Sequence, residues 1–283
     1  MNDTNTLQMI TGHGWRMGFA NLFHAGWESW WHTKKWLIQT VLWLLFLNGM
    51  LAIFLWQAPA ETLSVTDTPY DSFTSMEAVQ QDQTVVALVV FLTFSAFALP
   101  VVAIIAGQEA IIGERQSGTA AWILSKPVSR PAFILSKLAA ASLGILVTGV
   151  LIQGLVAYIQ ISLRLGSPLP TVGFSGAMAM LFLNCMFYLT LTYMLGSIFN
   201  NRGSVLGISL TVALIGPTIL QSLPVFGQFT PWSLFLPVTE GLSAGLAVAL
   251  GQPLPSLTPI FCTVLLAILF ISVALIRFER EEF

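Results

Sequence analysis

Apolar residues along this chain gather into six long runs, at residues 36–56, 84–107, 134–163, 176–199, 205–223 and 259–276. Each meets or approaches the ~20 residues a helix needs to cross a ~30 Å hydrocarbon core, so six spanning helices are predicted. The third run is longer than a bilayer requires and must tilt or project into water at its Pro131 end. Ahead of them, residues 13–34 follow another rule. Trp15, Phe19, Leu22, Phe23, Gly26 and Trp30 recur at three- and four-residue spacing, with His24, Glu28 and His32 on the opposite face. That spacing predicts an amphipathic helix, and its aromatic weighting suits the headgroup layer.

Two further segments break the pattern. Residues 224–258 contain a nearly apolar run from Leu234 to Leu250, interrupted by Pro237 and Glu240. A crossing there would move Arg277 and Arg280 to the other side, so the segment reads as short re-entrant or interfacial helices on the outer face, entered at Pro231-Trp232. Residues 108–133 are polar, yet Trp122-Ile123-Leu124 forms an apolar turn in their middle, with Gly118 before it and Pro127 after it. Thr119 is placed to cap a short helix running through Leu124. Pro127 stops that helix, and Pro131 opens the next span.

Composition agrees with a bilayer setting. The chain is 55% hydrophobic and only 8% charged, with mean hydropathy +0.80, against roughly 25% charged residues in a soluble globular chain. The predicted fold is therefore an all-α polytopic membrane protein. The net charge of −2 matters less than its distribution. Arg16, Lys34, Lys35, Arg115, Lys126, Arg130, Lys137, Arg202, Arg277 and Arg280 fall on one side of the six-span arrangement and Arg164 alone on the other. Positively charged loops stay cytoplasmic, which predicts both termini and the 108–133 loop on that side. The first outer loop carries Glu61, Asp67, Asp71, Glu77 and Asp82 without a basic residue. The first thirty residues show no apolar core of a cleavable signal, so the first span is expected to direct insertion. Cys185 and Cys262 sit in apolar runs and read as packing residues.

Candidate chemistry is sparse. His24 and His32 are more than two helical turns apart with no cysteine or third histidine nearby, a poor metal site. Polar residues within the runs are few, chiefly Asn48, Gln153 and Asn184, and no ionisable side chain falls near the middle of a span. An ion-coupled transporter or channel using the acidic mouth would want one there. Paired aspartates and a His/Glu metal set are missing from the spans, and a GxxxxGK[ST] phosphate loop is missing from the sequence, so it carries no intramembrane-protease or ATPase signature. Small residues paired at four-residue spacing, Ala140/Gly144, Gly203/Gly207 and Gly241/Gly245, mark close helix packing or a dimer seam.

The 108–137 stretch is more specific. Glu114, Arg115, Gly118 and Thr119 spell E-R-x-x-G-T. Leu124 to Arg130 follow as L-S-K-P-V-S-R, and then Lys137. This resembles the signature loop between the second and third spans of ABC-type-2 exporter permeases, most closely the branch of the nitrous-oxide-reductase maturation, sodium-export and gliding-motility permeases. Trp122 is bulkier than that family's usual residue, and the acidic outer loop is long. The resemblance implies a coupling helix seated on a separate ATPase subunit. Glu114 and Arg115 would touch the groove's rim and Trp122 or Leu124 its floor, with Gly118, Thr119, Lys126, Pro127 and Arg130 completing the docking set. It further implies a non-catalytic permease subunit in a prokaryotic inner membrane. Its partners would be two ATPase copies holding ATP and Mg, a second permease copy or paralogue, and an accessory protein outside; no cofactor is bound by the chain itself and no nucleic acid is implied. The substrate is not legible. A scaffold recruiting an ATPase to drive an external machine would use the same loop.

Overall fold

In the computed structural model, residues 18–57, 76–126, 128–237 and 241–280 are described, and they are helical without a strand among them. In chain order the helices are α1 (Phe19–His32), α2 (Trp36–Trp56), α3 (Gln83–Gln116), α4 (Thr119–Leu124), α5 (Arg130–Leu165), α6 (Thr171–Ile198), α7 (Arg202–Ser222), α8 (Pro224–Gly227), α9 (Ala244–Ala249) and α10 (Thr258–Glu279). Helices α2, α3, α5, α6 and α10 are long and apolar enough to cross a membrane. They cover five of the six predicted runs. The remaining run, 205–223, lies in α7, which Pro217 interrupts; the described residues supply five such helices rather than six. The acidic residues Glu61, Asp67 and Asp71 and the basic Arg16 lie outside the described residues, as do Pro127 and Glu240.

Helix α6 is the centre. It is apolar all round, and most of its residues between Leu181 and Ser197 are buried, as expected of a helix without a polar face. Helices α3, α9 and α10 pack on it. Helices α3 and α6 run parallel, in a register marked by four meetings. Phe91 stacks on Phe174, Asn184 Nδ2 donates to the Ala96 carbonyl at 3.0 Å, Gly107 sits against Leu189 and Thr192, and Gly196 sits against Ile111.

The second feature is a two-helix strip along α5. Its contacts rise together: Gly18 on Val128, Gly26 on Ala140, Trp30 over Gly144, Thr40 and Asn48 on Gln153, and Leu55 on Arg164. Helices α1 and α2 thus follow α5 end to end. The Ala140/Gly144 pair is a notch that receives α1, because only small residues let the Trp30 ring lie against the α5 backbone. The amphipathic helix expected from sequence is present, but its partner is α5 itself, and Lys34 falls level with the middle of α5 rather than with the other basic residues. Helix α5 has 36 residues, about 54 Å at 1.5 Å per residue. That exceeds a ~30 Å core and leaves length for its first turns to stand beyond it.

Wide π-type turns interrupt α2 at Leu44–Asn48 and α5 at Leu146–Leu151. Asn48 and Gln153 bridge the two helices there. Gln153 Nε2 donates to the carbonyls of Thr40 (3.2 Å) and Thr148 (3.3 Å), leaving its Oε1 to accept from Asn48 Nδ2 at 3.0 Å. All three side chains, Asn48, Thr148 and Gln153, are buried. Gln153→Leu keeps the volume and deletes these bonds. It is expected to destabilise the solubilised protein by about 1 kcal/mol, read as the shift in an SDS-unfolding midpoint; an unshifted midpoint would show the bridge to be dispensable.

At the end of the bundle that holds Arg164, the chain between α7 and α10 folds onto α6. It contains α8, a 3₁₀ turn at Pro231–Leu234, and α9, all too short to cross. Leu234, Phe235, Ala244, Leu246, Ala247 and Ala249 are buried. Trp232 enters against Gly216 of α7 and donates its indole N–H to the Tyr188 hydroxyl at 2.8 Å. Much of the described part of the apolar run from Leu234 to Leu250, Leu234, Phe235 and residues 244–249 above all, is thus covered by protein.

Candidate partner-docking site

The opposite end is basic. Arg115 Nη1 donates to the Gly196 carbonyl at 2.6 Å, Arg202 Nε to Gln108 Oε1 at 2.8 Å, and Arg130 Nη1 to the Glu279 carbonyl at 2.5 Å. These bonds gather the last turns of α3, α6 and α10 with the first turns of α5 and α7. Phe133 stacks on Phe278 at 5.5 Å beneath them. Arginine suits the carbonyl-gripping positions because its guanidinium keeps several donors in a fixed fork.

Helix α4 stands on this platform. A π-type turn at Glu109–Gly113 widens α3 near its end, where Ile111 and Ile112 are buried. Gly118 then adopts φ +74°, a left-handed conformation glycine tolerates best, and its amide closes the turn on the Arg115 carbonyl at 3.2 Å. The expected capping role of Thr119 is filled differently. The Gly118 carbonyl accepts the first helical bond from Trp122 at 3.2 Å, so Thr119 is already inside the helix, and its hydroxyl pairs with that of Ser117 at 2.8 Å. Ser117 stands in the better place because it precedes the left-handed residue. Ser129 caps α5, accepting from the Ala132 amide at 3.2 Å; Pro131 sits in the first turn as expected.

The predicted docking residues divide into two groups. Glu114 and Arg115 face inward: Glu114 is ion-paired with Lys137 of α5, and Arg115 grips α6. Arg130 is likewise engaged with α10. Trp122 faces outward, 62% exposed, with Lys126 Nζ 3.6 Å above its ring. The backbone of Leu124 belongs to α4, while its side chain and Pro127 lie outside the described residues. Lys137, Gly196, Gln108 and Arg202 complete the platform. Lys137 was named by the signature-loop resemblance and by the basic bias, and Arg202 by the bias alone, in neither case with what it holds; Gly196 carried no such signal. His24 lies 3.5 Å from Glu28 on the exposed face of α1, and the described residues contain no cluster of three or more His, Cys, Asp or Glu suited to a metal.

Apolar spanning helices around a central helix, with a braced short helix at one basic end, are the features of a multi-pass membrane protein. The family model for "ABC-2 family transporter protein" matches residues 33–283, and the chain belongs to that family. It is thereby a membrane subunit of an ABC transporter, of a family that works with an ABC ATPase. No curated protein matches the chain in sequence.

Proposed function

We propose that this chain is the permease subunit of an ABC exporter, and that α4 is its coupling helix. The observation that carries the reading is Trp122. A tryptophan 62% exposed on a six-residue helix, on a platform of polar bonds, is a surface shaped for a partner to cover. Tryptophan is also the residue type that most often anchors an interface. Glu114, Arg115 and Arg130 act from behind, holding α4 at a set angle, while Trp122 and Lys126 meet the ATPase. Movement of the ATPase would then pass through α4 into α5, and through the Glu114–Lys137 and Arg115–Gly196 ties into α3 and α6.

The same reading takes α7 as the sixth span, α1 as the membrane-edge helix, and α8 and α9 as re-entrant elements outside. Clustering of Arg115, Lys126, Arg130, Lys137, Arg202, Arg277 and Arg280 towards one end supports a cytoplasmic position for that end. The working unit is a homodimer or pseudo-dimer with two ATPase copies that hold ATP and Mg.

A single cysteine at Ser125, one residue from Leu124 and exposed, is expected to cross-link to the ATPase through a short bismaleimide. A cysteine at Ser175, exposed at the opposite end, is not. Cys185 and Cys262 are replaced by alanine in both. Reaction only from Ser175, or from neither, would remove α4 as the docking element.

A further inference from the structure

The two oxygens of Glu114 have different surroundings. Oε1 is ion-paired with Lys137, while Oε2 is buried and has no hydrogen-bond partner among the described residues. A second unpartnered group lies on the neighbouring helix. Tyr193 of α6 is completely enclosed, and its hydroxyl also has no partner among the described residues. The parallel register of α3 and α6 puts Tyr193 one turn before Gly196, the residue that packs on Ile111 and accepts from Arg115. The phenol and the carboxylate lie close enough to interact electrostatically. A buried hydroxyl donor and a buried carboxylate acceptor are each costly alone and satisfy each other when joined.

We propose that Tyr193 donates its hydroxyl hydrogen to one buried water that in turn donates to Glu114 Oε2, so that a single carboxylate on α3 is clamped by α5 on one oxygen and by α6 on the other. Tyr193 is then a positioning residue. Helix α4 has six residues, too few to hold itself in water, and it follows a left-handed glycine that acts as a pivot. Its direction is set by what the preceding turn is tied to. With Glu114 clamped from both sides, α3, α5 and α6 share one joint at the root of α4, and displacement of that helix reaches all three at once.

The clamp is tested on the permease alone, so its outcome is independent of whether α4 docks an ATPase. Tyr193→Phe removes one oxygen and keeps the packing. In the otherwise unchanged protein it is expected to lower the folding equilibrium constant roughly tenfold, measured by SDS unfolding. In a Glu114→Ala background the same change is expected to cost less than about threefold, because the acceptor is already gone. Spin labels at Ser125 and Ser175 give a second reading. Their distance distribution should broaden in Tyr193→Phe, and broaden no further when Tyr193→Phe is added to Glu114→Ala. An equal loss of stability in both backgrounds, or an unchanged distance distribution in Tyr193→Phe, would overturn the clamp, since either would mean that the hydroxyl acts through packing or not at all.

Discussion

Trp122→Ala is expected to weaken capture of the ABC ATPase about 30-fold, close to 2 kcal/mol, the range of a central aromatic anchor. The membrane domain should keep its yield and unfolding midpoint, because the indole is 62% exposed and its removal opens no internal cavity. Its recorded neighbour is the Lys126 ammonium, 3.6 Å from the ring centre. Lys126→Ala should therefore cost less, about 0.5–1 kcal/mol as for an exposed cation–π contact. Glu114→Ala is expected to behave otherwise. It should lower stability of the isolated permease as well as capture, since Lys137 loses its partner at a half-enclosed position. Co-purification titrations of the three variants, with midpoints measured beside them, separate contact from support. Undiminished capture by Trp122→Ala would dismiss the ring as an anchor.

Gly173→Ala should be the most damaging of the small substitutions, at about 3 kcal/mol. An added Cβ at Gly173 would lie 2.4 Å from the Val248 carbonyl oxygen and 3.1 Å from that of Ala249. Both are backbone atoms of α9, so no side chain can rotate away; α9 or the start of α6 must move. Gly176, one turn on, already meets the Val248 side chain, so α9 is seated on this face. Gly207→Ala is the control. Nothing lies within 4 Å of its built Cβ, and alanine favours a helix by up to about 1 kcal/mol over glycine, so the isolated chain should be unchanged or slightly firmer. Equal midpoints for the two variants would contradict the close approach of α6 and α9.

Much of this architecture is legible in one dimension because a bilayer imposes one dominant rule. A spanning segment must be apolar and helical, so runs such as 36–56 and 259–276 reappear as Trp36–Trp56 and Thr258–Glu279. The 108–133 loop is legible for a local reason: glycine, a capping hydroxyl and two prolines mark turns through their own backbone preferences. Those preferences pointed to Thr119 as the cap, whereas the left-handed turn at Gly118 puts Thr119 inside the helix and pairs its hydroxyl with Ser117. Pair spacing was a weaker guide. Ala140 and Gly144 receive α1, whereas a Cβ at Gly207 would meet nothing within 4 Å among the described residues, although both pairs look alike in sequence.

The sequence by itself determined that this is a helical membrane protein, that its basic residues favour one side, and that an amphipathic element breaks the run between the second and third spans. Hydropathy and turn chemistry are properties of neighbouring residues, and they suffice for that. Only the tertiary structure decided that Glu114 and Arg115 turn inward while Trp122 turns out, that α1 and α2 together track α5, and that Asn48 meets Gln153. Those outcomes depend on which helix face meets which neighbour across separations of 80 to 110 residues, and apolar helices without charged stripes leave that choice to shape complementarity.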